Sequence, residues 1–305
     1  MKNIPTYKLE PKCSFEESRE YFGKFATDKD YSILINDDCN AYKENGEPLF
    51  FFRKRKIPSD ICREAYHGFK AAAVKTENRG AAAGSLTDTE KSHVATSKLR
   101  YKRIKKDGTM SKTTRAVQVS SGIAGFFDRN TRHPYCRQTR YTELEREKYL
   151  RGVPFLQYIS ALFKDACPDR YNAQKAMIDK TNNDFVIGGT VFTTVTVNKN
   201  FRTAYHTDAG DLKEGLGNLA VLKAGKYEGG YTVMPRYDCA FDLGSGDVCF
   251  FDVHEFHGNT EIVAKSPYER ISIVAYYREN MKFCDSMAEE LKRAQHRVIG
   301  DKLNA

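Results

Sequence analysis

His206 and Asp208 stand two residues apart in the stretch Asn198-Lys199-Asn200-Phe201-Arg202-Thr203-Ala204-Tyr205-His206-Thr207-Asp208. On a strand that spacing sends both side chains to one face. An imidazole and a carboxylate on one face suit two ligands of a facial triad, the donor set that selects Fe(II). The third ligand has to come from a later strand. About 50 residues on, Asp252-Val253-His254-Glu255-Phe256-His257-Gly258-Asn259 supplies two candidates. His254 and His257 are three apart, hence on opposite faces of a strand, and spacing alone leaves the choice between them open. Thirteen residues past His257, Arg270 opens the run Arg270-Ile271-Ser272-Ile273-Val274-Ala275-Tyr276.

A centre of this kind makes definite demands on its surroundings. Two His and one carboxylate occupy one face of an octahedral metal and leave three positions open. The keto-acid end of 2-oxoglutarate can take two of these, and O₂ the third. The far carboxylate of such a cosubstrate calls for a planar, permanently charged fork, which arginine supplies. Arg270 is the candidate anchor. Asn198 and Arg202, just ahead of the metal pair, are further candidates for contacting the cosubstrate or a base. His-x-Asp, a distant His and a downstream Arg, in this order within one β-rich region, predict an Fe(II)/2-oxoglutarate oxygenase.

The elements that must carry these groups can be read in outline. From Phe185 onward, β-branched and aromatic runs (191–197, 218–222, 231–234, 248–251, 271–277) alternate with Gly-rich turns. Many short strands with no helices between them indicate an antiparallel sandwich or barrel. The front half is mixed. Capping-box spacings at Ser14 and Thr142 predict helices over 14–25 and from 142 onward, the latter broken near Gly152-Val153-Pro154. Further helices are expected over 59–75 and 283–298. A hairpin is expected from runs 31–35 and 49–52 around Asn45-Gly46, and a second from 99–104 and 113–119 around Asp107-Gly108. The expected organisation is one α+β catalytic domain over 1–305. It comprises a mixed support region (1–180), a β core (181–280) and a C-terminal helix (281–305).

Composition bounds the function. Apolar residues at 40% and aromatics at 12% exclude wholesale disorder, and charged residues at 29% leave no run long enough to span a membrane. The N-terminus has no apolar stretch of the signal-peptide kind. Eight cysteines without a C-x-x-C argue against a structural zinc site and against a disulfide framework. An intracellular setting, nuclear or cytoplasmic, is therefore expected, as is a monomer. The net charge of +9 is concentrated in one place. Lys98, Arg100, Lys102, Arg103, Lys105, Lys106, Lys112 and Arg115 face a single acid, Asp107, so the second hairpin alone carries +7. A concentrated basic element points to nucleic acid, with Lys98, Arg100, Lys102, Arg103, Lys105 and Lys106 as the contacts.

From about residue 76 to 280 the chain resembles the TET/JBP family of Fe(II)/2-oxoglutarate dioxygenases, most of all its JBP and bacteriophage branch. The matching stretches are Asn78-Arg79-Gly80-Ala81-Ala82-Ala83-Gly84, Ser121-Gly122-Ile123-Ala124-Gly125-Phe126-Phe127-Asp128-Arg129, Pro134-Tyr135-Cys136-Arg137 and Thr196 to Asp208. They continue through Gly229-Gly230, Gly246-Asp247, His257-Gly258-Asn259 and Arg270-Ile271-Ser272. The resemblance implies a double-stranded β-helix (jelly-roll, cupin-like) core. It places the distal iron ligand in His-Gly-Asn, hence His257, and the 2-oxoglutarate arginine at Arg270. Fe(II) and 2-oxoglutarate are the implied cofactors, with O₂ as cosubstrate. The implied activity is hydroxylation of the 5-methyl group of thymine or 5-methylcytosine in DNA. Two other readings compete: a prolyl-hydroxylase-like oxygenase acting on protein, and a non-catalytic DNA-binding module. The first has no use for the basic hairpin, and the second none for metal ligands.

Overall fold

The computed structural model describes residues 4–84, 100–104, 110–116, 118–130 and 132–296. Two β-sheets packed face to face form its scaffold, and the period-two pattern of the chain explains why. In the strand Pro48–Arg53, Phe50 and Phe52 turn to one core while Phe51 turns to the other. Leu219 and Val221 alternate in the same way with Ala220 and Leu222, as do Cys249 and Phe251 with Val248 and Phe250. The first set meets Met234, Cys239 and Phe241 of the second sheet, with the Phe50 and Phe241 rings 4.8 Å apart. The other set packs beneath helices.

The large sheet runs Thr6–Leu9, Cys39–Lys43, Pro48–Arg53, Val248–Phe251, Gly217–Ala224, Glu269–Tyr276, Thr194–Lys199, Val119–Phe127, Lys75–Thr76. Arg137–Gln138 also pairs with Val119–Phe127. Every pairing is antiparallel except that of Thr6–Leu9 with Cys39–Lys43. The small sheet is ordered Gly258–Asn259, Thr232–Met234, Cys239–Phe241, Ile33–Ile35. The front of the chain thus adds strands to both sheets.

Helices Ser59–Phe69 and Arg146–Ala166 cover the outer face of the large sheet through Phe69, Phe155, Ile159 and Phe163. The expected break at Gly152-Val153-Pro154 does not occur. Pro154 removes one hydrogen bond, but the buried face either side of it is continuous. Gly152 sits where Phe69 packs, and a Cβ there would lie 2.3 Å from that ring. This glycine serves helix contact rather than helix termination.

Other boundaries shift for local reasons. The Ser14 capping box forms, yet the helix spans only Phe15–Ser18 before a short 3-10 turn, Arg19–Tyr21. Thr139, not Thr142, caps the helix Arg140–Leu144. Ser286 caps Met287–Gln295, and the expected end of that helix at Val298 lies outside the described residues. The Asn45-Gly46 hairpin joins Pro48–Arg53 to Cys39–Lys43, while Ile33–Ile35 pairs in parallel with Cys239–Phe241 in the other sheet. Cys-Asn-Ala-Tyr-Lys carries no apolar run, which is why its strand was not anticipated. The basic hairpin forms as backbone, Arg100–Ile104 pairing with Met110–Ala116.

A disulfide joins Cys136 to Cys284, which corrects the expectation of thiols alone. Their separation of 148 residues hid the pairing in the sequence. In the fold, buried Glu290 brings the two segments together by accepting from the Cys136 and Asp285 amides and pairing with Arg129. Among the described residues, no helix is long and apolar enough to cross a membrane.

Candidate metal centre and active-site chamber

His206, Asp208 and His257 come together, their ligand atoms all within 4.8 Å of one another. His206 and His257 exchange two backbone hydrogen bonds of 3.0 Å, and the Asp208 amide donates to the Val253 carbonyl at 3.0 Å. The His206 Nδ1 is 2.8 Å from the Ala204 carbonyl, and the His257 Nδ1 is 3.0 Å from that of Glu255. Each carbonyl fixes the proton on Nδ1, so both Nε2 atoms are presented as ligands. They lie 3.4 and 3.8 Å from the two carboxylate oxygens of Asp208. His254 stays outside this group, its Nδ1 3.2 Å from Asp252. The structure therefore groups His257, and not His254, with His206 and Asp208.

Electrostatics prepare the same set. Burial, reinforced by the charge of His206, pushes His257 down to about 4, so its imidazole is neutral as a ligand must be. Burial would raise Asp208, but the His206 hydrogen bond and the surrounding positive charge hold it down at about 2. Burial also opposes charge on His206, and the Asp208 carboxylate more than reverses this, raising its value. A carboxylate between two imidazoles, facing a cavity, is a donor set that fits a divalent transition metal.

The motif His257-Gly258-Asn259 has a steric basis. A Cβ on Gly258 would stand 2.9 Å from the Tyr205 amide nitrogen, in the backbone that carries His206. Asn259 is equally committed. Its side chain accepts from Thr203 Oγ1 at 2.6 Å and donates to Thr232 Oγ1 at 3.0 Å, stitching the metal-bearing segment to the small sheet.

Arg270 is buried at 3% exposure. Its Nη2 donates to the Gly230 carbonyl at 2.9 Å, and no carboxylate pairs with it among the described residues. Tyr227 stands beside it, its buried hydroxyl close enough to interact with the guanidinium. A buried guanidinium with no carboxylate at ion-pair distance among the described residues is costly unless an anion joins it. Such a cradle fits the far carboxylate of a keto diacid. Two backbone features shape it. Asn200, in the left-handed region at φ 46°, closes the strand Thr194–Lys199 and accepts from the Arg270 amide at 2.7 Å. Gly230 has φ +68°, and a Cβ there would sit 3.1 Å from Arg270 Nε.

The triad and Arg270 share a chamber of about 1370 Å³ between the sheets. Arg270, Ser272, Val274 and Tyr276 line it from one strand, while Ile271, Ile273 and Ala275 face the helices. At ~3.3 Å per residue, Arg270 and Tyr276 are roughly 20 Å apart. One anchored keto diacid therefore leaves the other end open. That end holds Tyr276, Arg79, Arg278 and Asp211. Arg79 donates to the Gly122 carbonyl at 3.1 Å, and Arg278 donates to Asp128 at 2.8 Å. Burial and nearby Asp208 push the Asp211 carboxyl well above its usual range.

Asn198 also lines the chamber, its Oδ1 accepting from Ser121. Arg202 does not. It donates to the Ala26 and Asn259 carbonyls at 2.6 and 3.4 Å and stacks on Phe25, so it clamps the N-terminal segment. Arg100, Lys102 and Arg103 fall on the hairpin strand, described as backbone, whereas Lys98, Lys105 and Lys106 lie outside the described residues. Tyr276 and Arg278 in the chamber lining, and Tyr227 beside Arg270, were not anticipated as site residues. Period-two reading from Arg270 was the available signal for Tyr276 alone.

Facing sheets with metal ligands at one end of the interior are the architecture of the double-stranded β-helix oxygenases. Comparison with known proteins gives the family. The Tet_JBP model, the oxygenase domain of the 2OGFeDO superfamily, matches residues 122–279, just over half of the chain. The chain belongs to this family. It is 30% identical over 287 residues to the bifunctional helicase and thymine dioxygenase JBP2 of Trypanosoma brucei brucei, covering 92% of this chain and 23% of that protein. It is 42% identical over 167 residues to the thymine dioxygenase JBP1 of the same organism, covering 53% of this chain and 19% of that protein. The chain thus spans less than a quarter of the length of these relatives. Among solved structures, NgTET1 in complex with 5mC DNA superposes with a TM-score of 0.57 at 16% identity, over 89% of each chain. That likeness is one of fold.

Proposed function

We propose that this chain is an Fe(II)- and 2-oxoglutarate-dependent dioxygenase that hydroxylates the 5-methyl group of a pyrimidine, thymine or 5-methylcytosine, in DNA. One observation carries the reading: a three-ligand metal site shares a two-ended chamber with a buried arginine that lacks a counter-ion. The names of the thymine dioxygenase relatives support a base as substrate. When bound, iron and 2-oxoglutarate supply oxidation of an unactivated C–H bond, coupled to decarboxylation of the cosubstrate to succinate.

The chain's own residues do the rest. His206, Asp208 and His257 hold the metal on one face. Arg270 and Tyr227 fix the far carboxylate of 2-oxoglutarate. A 5-methyl group inside a duplex cannot reach a site between two sheets, so the base has to leave the stack. A volume of about 1370 Å³ accommodates both molecules, being larger than a site for one small ligand. In this reading Tyr276 packs against the extruded ring, with Arg278 and Asp211 meeting its polar edge. The test is incubation with Fe(II), 2-oxoglutarate and DNA containing both thymine and 5-methylcytosine, followed by mass spectrometry of the nucleosides. Hydroxymethyl product in step with succinate is expected. Succinate with no oxidised base would overturn the assignment.

A further inference from the structure

We propose that the mouth of the chamber is itself a docking surface for the DNA backbone, with Arg132, Arg137 and Arg140 as its phosphate ligands. The inference rests on the reading of DNA as substrate and adds a surface separate from the basic hairpin. All three arginines line the opening of the chamber. None has a carboxylate at ion-pair distance among the described residues, and several neighbouring acids are engaged elsewhere. Asp128 is paired with Arg278, Glu290 and Asp285 with Arg129, and Glu145 with Lys148. The result is local positive charge that the protein does not neutralise.

Arg137 is also held in place. Its guanidinium lies 4.9 Å from the Phe127 ring centroid and 5.9 Å from that of Tyr135, and Nη1 makes only long contacts of 3.4 Å to two carbonyls. A stacked guanidinium with unsatisfied donors is pre-organised for an oxyanion. Arg132 and Arg140 are exposed beside it. Leu144, at 65% exposure, and Val74, at 60%, stand on the same opening. Exposed apolar side chains among uncompensated arginines fit a duplex from which one base has been withdrawn. The guanidiniums meet the flanking phosphates, and the apolar groups meet the gap in the stack.

The test is the salt dependence of duplex affinity, which does not require turnover. Replacing Arg132, Arg137 and Arg140 together by Ala should flatten the log–log slope by ~2–3 units, at roughly 0.9 per lost phosphate contact. The corresponding triple Lys variant keeps the charge and should keep most of the slope, with thermal melting confirming that both variants fold. An undiminished slope in the Ala variant would overturn the proposal. So would equal losses in the Ala and Lys variants, because charge would then not be the cause. If wild-type protein binds duplex yet yields no oxidised base, the catalytic reading falls while this surface stands.

Discussion

His206 and His257 are bonded to each other through their backbones in both directions, at 3.0 Å each way. The ligand geometry is therefore set by main chain before any metal arrives. Losing one imidazole removes a donor that no neighbour can replace, since His254 is committed to Asp252. His257→Ala should abolish stoichiometric iron and turnover, and His254→Ala should leave iron bound. Metal analysis of the two purified variants checks this, and the reverse pattern would overturn the choice of ligand.

Arg270 and Tyr227 form the second relationship open to a direct test. In the proposed reading Arg270→Lys removes one arm of a two-armed, charge-assisted contact to 2-oxoglutarate, at a cost of about 1.5–3 kcal/mol. The apparent KM for 2-oxoglutarate should rise by about ten- to a hundredfold with iron retained. Tyr227→Phe should give a smaller rise, because it deletes one neutral donor. An unchanged KM in both variants would move the anchor to another arginine of the chamber, Arg79 first.

How much of this was legible in the sequence follows from the range of each signal. His206 and Asp208 share a face because strand period is local, and Arg270 could be placed by the same rule. The inter-sheet core was foreshadowed by runs such as Val248–Phe251, whose bounds agree with the strand observed. What escaped depends on residues distant in the chain. Tyr227 becomes a site residue only because its loop folds over Arg270. Arg202 stands where a contact to the cosubstrate or a base is expected, but the Ala26 carbonyl and the Phe25 ring, far upstream, take up its guanidinium. Cys136 and Cys284 meet only through the Glu290 network. The choice between His254 and His257 was invisible to spacing, since it rests on which carbonyl and which carboxylate each imidazole meets.

The glycine between the metal histidine and Asn259 can be tested separately from the ligands. In Gly258→Ala the new methyl would approach the Ala204–Tyr205 backbone, which cannot yield without moving His206. Overpacking of this kind costs about 1–3 kcal/mol. A displaced ligand backbone should also weaken iron binding by about tenfold or more. A lowered Tm together with a weaker iron titration is expected, and unaltered iron affinity would show that the metal site tolerates the shift.

His254 gives a pH signature. Its hydrogen bond to Asp252 raises its folded-state value above the ordinary 6.5, although burial opposes this. A raised value means that the folded protein holds the proton more tightly than the unfolded chain. The stabilisation is therefore fully present below the unfolded value and lost as pH rises through the folded one. The imidazole is about one third exposed, so the effect is modest. In chelator-treated protein, where metal loading does not contribute, His254→Ala should flatten the fall of Tm between about pH 6 and 8. The same slope in the variant would assign that fall to another group.

The basic hairpin carries the last prediction. Its +7 accounts for most of the net charge of +9, and phosphate contacts give affinity without reading sequence. Among the described residues the two strands Arg100–Ile104 and Met110–Ala116 pair with each other alone, off both main sheets, so an arm built this way can follow a backbone without disturbing the chamber. Neutralising Lys102, Arg103, Lys105 and Lys106 together should flatten the salt dependence of duplex binding by up to ~3–4 units of log–log slope, at roughly 0.9 per contact. Turnover of a free nucleoside, which has no phosphates to hold, should change little. Combining this variant with the triple Ala variant at the chamber mouth should add the two slope losses, as independent phosphate contacts do. An undiminished slope in the hairpin variant would reduce the hairpin to a solvated face and leave the arginines at the mouth as the clamp.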